Sequence, residues 1–515
     1  MFSKVFSMGM HGLYTHLVEV ECDLSNGLPR FDLVGLPGSA VSESKERVRS
    51  AIKNNDLTFP ISRITVNLAP ANFRKEGPIY DLPIMISVLL ASKQLKAKTD
   101  DTIFIGELSL DGELRKISGV LPMTTEAKNS GFRKIFVPEE NASEAALVSD
   151  MEVYPASNIS EILSHLRKEK IISPLTKETC SFADEQESPY AEIPDFYDVF
   201  GQESAKRALE VAAAGGHNVL LTGSPGSGKS MLAKRIPGIL PSMNEQEALA
   251  TTSVYSVAGK LVPENPLISK RPFRAPHHTS TPVALTGGGA RAVPGEISLA
   301  HNGVLFLDEL PLFSRKTLEV LREPLEDGVI TISRNLYTAV YPGRIMLVCA
   351  MNPCPCGFAY DPHKECTCKD SEIRSYTSKI SGPLLDRIDI HVRVDPVDCE
   401  ELIKAEKNHS SSPREHSSQI RTRVLAAREV QQNRFRGTDT PCNAYMTPVQ
   451  VRTHCTLSAG AENILIGAFK KLNFSARSND KILKVARTIA DLDGSDIIEV
   501  KHISEAIQYR SLDRI

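Results

Sequence analysis

Along the first third of the chain, short apolar runs alternate with stretches in which apolar residues recur every three or four positions. "HLVEVECDL", "RITVNLAP", "DTIFIGEL" and "KIFVPE" read as strands, while "SAVSESKERVRSAI" and "DLPIMISVLLAS" read as helices. Residues 1–168 therefore predict an α/β domain. "KEKIISPLTKETCSFADEQESPYAEIPDF" is polar and broken by Pro174, Pro189 and Pro194, which predicts a linker over 169–195. The alternation resumes at "FYDVFGQESAKRALEVAAAGGHNVLLTG" and gives a second α/β domain over 196–397. From 398 to 515 the pattern is helical: "SQIRTRVLAAREVQQNRF", "GAENILIGAFKKL", "NDKILKVARTIADLDG" and "VKHISEAIQYRSL" all carry apolar spacing of three and four. The polar loop "NHSSSPREHSS" falls within this third domain, and no internal repeat is visible.

Composition adds little to this division. A chain of 515 residues that is 41% hydrophobic and 24% charged is an ordinary soluble globular protein. A net charge of -3 rules out a basic coat, but a local basic stripe or the inside of a ring would not show in a total. "PIMISVLLA" is the longest apolar stretch near the start, well short of the ~20 residues of a membrane span. The opening "MFSKVFSMGMHGLYTH" lacks the basic start and long apolar run of a signal peptide. A cytoplasmic location with reduced thiols and no membrane partner is expected.

The strongest chemical signal is "NVLLTGSPGSGKS". An apolar strand enters Gly223, Ser224, Pro225, Gly226, Ser227, Gly228, Lys229 and Ser230, which match G-x-x-x-x-G-K-[ST]; Met231 opens the helix that follows. Glycines let the backbone N–H groups face phosphate oxygens. Lys229 reaches the β- and γ-phosphates of ATP, and the Ser230 hydroxyl suits Mg²⁺. "GVLFLDEL" is a buried strand that delivers Asp308 and Glu309 to the sheet edge where ligands bind. Asp308 holds Mg²⁺ in this reading, and Glu309 orients and deprotonates the attacking water. A third strand, "RIMLVCAMN", ends in Asn352, a polar group for the γ-phosphate and water. "SGPLLDRIDIHVRV" sets Arg387 at a helix end, suited either to a neighbouring subunit's nucleotide or to a salt bridge with Asp386 or Asp389.

Four of the ten cysteines crowd into "CPCGFAYDPHKECTC": Cys354, Cys356, Cys366 and Cys368. Two Cys-x-Cys pairs can supply four thiolates to tetrahedral Zn²⁺, with His363 as a substitute ligand; the alternative is four free thiols on a loop. Zinc so held leaves no open position and is structural.

These segments together resemble the YifB/ComM family of magnesium-chelatase-like AAA+ ATPases, carried by "GQESAKRALEVAAAGGHNVLLTGSPGSGKS", "FRAPHHTSTPVALTGGG", "GEISLAHNGVLFLDEL", "MNPCPCG" and "SGPLLDRIDIHV". The resemblance implies a Lon-protease-like first domain, an AAA+ core and a helical lid. It makes Lys229 and Ser230 the Walker A residues, Asp308 and Glu309 Walker B, Asn352 sensor 1 and Arg387 the arginine finger. "FSARSNDKILKVARTIADLDG" resembles the sensor 2 helix, so Arg477 meets the γ-phosphate; Val199 and Phe200 line the adenine pocket. It implies homo-hexameric rings with ATP sites between subunits, and, for ComM-like members, DNA motors driving branch migration of recombination intermediates during natural transformation.

Two insertions bear on DNA. "RPFRAPHHTSTPVALTGGGARAVPGE" precedes Walker B, and "EDGVITISRNLYTAVYPGRIML" reads as strand, turn, strand. By the resemblance they enter the ring's pore, where Arg271, Arg274, His277, His278, Arg291 and Arg334 contact single-stranded or branched DNA; the alternative is a role in the ring interface. In the first domain, "RKEGPIYDLPIMISVLLAS" resembles the segment bearing Lon's serine, but Ile79 follows Gly77-Pro78 and carries no nucleophilic atom. Lys128, the one lysine of "VLPMTTEAKNSGF", reads as a solvated helix position, so peptidase activity is not expected. Competing readings are a magnesium-chelatase motor subunit, against which the fused Lon-like domain argues, and a non-motor ring that only binds ATP.

Overall fold

The computed structural model describes residues 1–177, 193–289, 292–334, 337–396, 414–472 and 476–510. In the first domain β1 (Phe2–His11) and β2 (Tyr14–Ser25) form a long hairpin. With β3 (Arg30–Val34), β4 (Arg63–Ala69), β5 (Thr102–Phe104), β6 (Lys134–Pro138) and β7 (Glu152–Ala156) it makes a seven-stranded sheet, order β3-β4-β2-β1-β5-β6-β7. Val18, Val20 and Cys22 are fully buried while Glu19 and Glu21 take the other face, the period of two that made β2 legible. Two helices, α1 (Ser39–Asn54) and α2 (Asp81–Ala91), pack together on this domain. Nearly every residue of α2 is buried, so its apolar character extends all round. Asp81 at its start is buried too, and Arg47 of α1 covers it with Nε 2.6 Å from Oδ2. Burial raises the Asp81 pKa and the guanidinium opposes that rise.

The expected linker is only partly free. Leu175 pairs with Val153 of β7, so the chain up to residue 177 lies along the sheet edge; residues 178–192 of that segment lie outside the described residues.

The second domain contains α4 (Glu203–Gly215), β8 (Val219–Thr222), α5 (Lys229–Ala233), α6 (Glu245–Val257), β9 (Phe273–Arg274) and β10 (Val304–Leu307); α3 (Val120–Asn129) belongs to the first domain. It continues with β11 (Val329–Arg334), β12 (Tyr337–Pro342), β13 (Met346–Met351) and β14 (Ile390–Arg393). The sheet order is β9-β10-β13-β8-β14, all parallel. Every residue of β8, β10 and β13 is buried, as in parallel strands covered on both faces. The strand-turn-strand expectation is met by β11 and β12, a separate antiparallel hairpin.

The third domain comprises α7 (Ser417–Arg434), α8 (Ala459–Leu472), α9 (Ala476–Leu492) and α10 (Val500–Gln508) with shorter turns. Its apolar faces share one core with the sheet of the second domain: Val424, Ile482, Ile489 and Ile503 cluster with Ala208, Val219 and Ile390. Buried polar joints fix the seam. His217 bridges Asp389 (3.2 Å) and Thr488 (2.9 Å), and Arg510 donates to the Ile388 carbonyl at 2.7 Å. Most of the polar loop at 408–418 lies outside the described residues.

The first domain is also anchored. Gly12, in the β1–β2 turn, sits so close to β12 that a Cβ there would lie 2.9 Å from the Ala339 Cβ. Met10 and Leu13 pack into the core behind the hairpin. Buried Glu144 accepts from the Leu121 N–H at 2.9 Å and from the Ser256 hydroxyl of α6. No helix among the described residues is long and apolar enough to cross a membrane.

Candidate nucleotide site

The carboxyl ends of β8, β10 and β13 converge, and each delivers one part of the site. After β8, Gly226 (φ 79°) and Gly228 (φ 92°) adopt left-handed conformations that side chains resist, which lets the loop curl back on itself. Lys229 begins α5 and is 8% exposed. Its Nζ donates to the Gly223 and Ser224 carbonyls, each at 2.8 Å, and to Asn352 Oδ1 at 3.3 Å. Burial lowers its pKa, and the Asp308 carboxylate opposes the shift. Burial raises the Tyr376 pKa, and the neighbouring Asn352 backbone opposes that rise.

Across the loop, Ser230 Oγ donates to Asp308 Oδ2 at 2.6 Å. A hydroxyl beside a carboxylate is a hard-oxygen pair that fits Mg²⁺. Glu309 follows in a left-handed conformation (φ 51°), unusual for a residue with a side chain, and its carboxylate is 54% exposed. His278 Nδ1 lies 3.2 Å from Glu309 Oε2. His278 was expected to face DNA; it faces the candidate base instead, with its ring 4.0 Å from that of His277.

The adenine-side residues sit next to the loop. Val199 is fully buried and Phe200 is half-buried with the Arg414 guanidinium 5.6 Å from its ring. Two residues on, Gln202 donates to the Ser227 carbonyl of the phosphate loop at 3.4 Å. Met231 is exposed on α5.

Arg387 and Arg477 are elsewhere. Asn218, just before β8, donates to the Arg387 carbonyl at 2.9 Å and accepts from the Asp389 N–H at 3.1 Å. Arg387 is therefore at the start of β8, whereas the phosphate loop leaves its end, a four-residue strand or about 13 Å away. Arg477 of α9 lines a cavity of about 460 Å³ with Arg387, Asp386 and Asp389. Arg477, expected at the γ-phosphate, is grouped by the fold with Arg387, and its helix α9 packs on α4. The salt bridge weighed for Arg387 has another partner, Glu326, while Asp389 is taken by His217 and Lys481.

The expected DNA residues divide. Arg271 spends its guanidinium on the Pro241 and Asn302 carbonyls and on Glu247 at 2.9 Å. Arg274 forms a two-pronged pair with Glu296 at 2.6 and 2.7 Å. Both guanidiniums are thus engaged within the chain, where they brace the inserted segment. His277 is exposed. Arg334 lies at the end of β11; Arg291 lies outside the described residues.

In the first domain, Ile79 is buried after Gly77-Pro78, and Lys128 pairs with exposed Asp150 at 2.9 Å.

The four cysteines come together. Cys354 Sγ lies 3.3 Å from Cys356 and 3.7 Å from Cys366, and Cys356 lies 3.6 Å from Cys366. All four thiols fall within 4.8 Å of one another, and His363 is not among them. Zn–S bonds of ~2.3 Å in a tetrahedron put sulfurs about 3.8 Å apart, so the spacing fits zinc.

A parallel five-stranded sheet with this strand order, a phosphate loop after β8, an Asp-Glu pair after β10 with β13 between them, and a helical domain packed behind define a P-loop ATPase of the AAA+ class. Comparisons narrow it. Residues 195–402 match the family model "Magnesium chelatase, subunit ChlI", residues 20–141 "Subunit ChlI of Mg-chelatase", and residues 414–510 its C-terminal counterpart. The chain is 43% identical over 515 residues to the Escherichia coli protein named YifB, covering all of this chain and 98% of that one. It is 43% identical over 513 residues to the Haemophilus influenzae "Competence protein ComM", covering 99% and 98%. A 67 kDa magnesium-chelatase subunit of Chlorobaculum parvum is 30% identical over 206 residues, 39% of this chain and 27% of that protein. The chain belongs to the YifB/ComM family of magnesium-chelatase-like AAA+ ATPases.

Proposed function

We propose that this chain is an ATP-hydrolysing DNA motor that works as a hexameric ring on recombination intermediates, and that it serves the integration of incoming DNA during natural transformation. The observation that carries the ring is the separation of Lys229 from Arg387 and Arg477 along β8. Arginines on the far sheet edge serve a nucleotide on the next copy, a head-to-tail contact that closes into a ring. Full-length similarity to a protein named for competence supports DNA as the substrate.

In this reading Lys229 and the loop amides hold the β- and γ-phosphates. Ser230 and Asp308 hold Mg²⁺, which neutralises charge on the phosphates. Glu309 leaves His278 and takes the proton of the attacking water, while Asn352 orients that water. The neighbour's Arg387 and Arg477 stabilise the charge that develops on the transferred phosphoryl group. Cys354, Cys356, Cys366 and Cys368 hold a structural zinc.

The chelatase names of the matched models favour a second reading, a motor that remodels a metal-inserting protein partner. The model over residues 20–141 itself bears that subunit's name, so the first domain does not discriminate between the two. Steady-state ATP turnover with and without single-stranded or branched DNA does. Stimulation by DNA supports the motor; none, with intact rings, refutes it.

A further inference from the structure

The segment between the two cysteine pairs is pressed against the phosphate loop. Gly357, directly after Cys356, has φ 89° and leaves no space for a side chain: a Cβ there would lie 2.5 Å from Pro225 Cδ and 2.7 Å from its Cγ. Four residues on, the neighbouring Ser224 hydroxyl holds the Asp361 carboxyl below the usual carboxylate range. The carboxylate accepts from the backbone N–H groups of His363 and Lys364, at 2.9 and 3.0 Å. Between these points, Arg393 of β14 donates to the Tyr360 carbonyl and lies 5.6 Å from the Tyr360 ring. Pro225 and Ser224 of the phosphate loop face this segment, and the Lys229 ammonium bonds to Ser224 through its carbonyl.

We propose that the metal-clamped loop is a brace for the nucleotide site: a thiophilic divalent cation, Zn²⁺, on Cys354, Cys356, Cys366 and Cys368 holds Gly357 and Asp361 against Pro225 and Ser224, so metal occupancy sets the affinity for ATP. This rests on the zinc reading above. The physical reason is loop closure. Cys356 and Cys366 are tied through one ion, and the short segment between them loses its conformational freedom whether or not nucleotide is present. Without the tie, each binding event must order that segment and the phosphate loop beneath it, and affinity falls by the cost of the ordering.

The test uses the full-length protein. Zinc per chain is measured by elemental analysis, and the Kd for a fluorescent ADP analogue by titration, before and after zinc is stripped with a thiol-directed reagent and chelator and then restored. The expectation is about one zinc per chain and a Kd raised about tenfold on stripping, recovered on restoring zinc. Gly357→Val and Asp361→Ala leave all four ligands in place. They should retain zinc yet raise Kd about threefold or more, so the brace remains testable even if Cys366→Ser/Cys368→Ser does not fold. One zinc per chain with an unchanged Kd on stripping and in both loop variants overturns the brace. No zinc, even after reconstitution, overturns the zinc reading beneath it.

Discussion

Arg387 lies at one end of β8 and Lys229 at the other, so a site assembled within one chain cannot contain both. Replacing Arg387 with Ala should remove the charge that a neighbour supplies to the transition state. Such arginines are worth about 10³-fold or more in kcat, or about 4 kcal/mol. Within its own chain Arg387, its side chain only 10% exposed, pairs with Glu326, whose carboxylate is 52% exposed. A half-exposed pair of that kind contributes about 1 kcal/mol, well below the effect expected at the transition state, so its loss does not mask the result. Lys229→Ala disables the complementary half. Each variant alone should be inactive. In an equimolar mixture, a competent interface needs its phosphate loop from the Arg387→Ala copy and its arginine from the Lys229→Ala copy. Random assembly makes about a quarter of the head-to-tail interfaces complete, so turnover should return to up to about a quarter of wild type. Recovery is read in a coupled ATPase assay, with mixed rings verified by native mass spectrometry. Mixed rings without recovery, or Arg387→Ala rings that hydrolyse ATP at more than a tenth of the wild-type rate, would refute the shared site.

Other outcomes follow from individual contacts. Glu309→Gln should bind ATP with wild-type affinity and lose at least about 10²-fold in turnover; unchanged turnover would remove Glu309 from the role of base. His278→Ala frees the Glu309 carboxylate from a half-exposed contact worth about 1 kcal/mol, so basal kcat should rise about fivefold with KM unchanged; a fall of that size would make His278 a support for the base and not a restraint. Asp491 is fully buried and held by Arg434 (14% exposed), Arg487 and Asn443. Arg434→Ala should cost about 3 kcal/mol, the low end for breaking a buried pair because two partners remain. Amides of α9 would then exchange about a hundredfold faster, and less than a threefold change would contradict the assignment.

The parts of the site that the sequence displays are those whose physics is local. A phosphate loop needs its glycines, lysine and serine consecutively, and a buried parallel strand announces the Asp-Glu pair at its end, so Lys229, Ser230, Asp308 and Glu309 could be read without a fold. The surroundings of Arg477 were not legible, because they depend on which face of α4 the third domain covers, and helical periodicity marks an apolar face without saying what meets it. Arg271 and Arg274 look alike to any charge count on an inserted segment. What a charge count does not show is that Glu247 and Glu296, 24 and 22 residues away in sequence, pair with them in space. His278 and Asp361 carried no local signal at all: their partners, Glu309 and Ser224, come from other strands of the sheet. The cysteine cluster was visible as a spacing, but its contact with Pro225 needed the turn at Gly357.

If ATP hydrolysis at this site moves DNA, a synthetic DNA junction with fluorescently labelled arms should show branch movement in real time with ATP, but not with a non-hydrolysable analogue or with the Glu309→Gln variant. Intact rings that hydrolyse ATP while the junction stays where it was would contradict it.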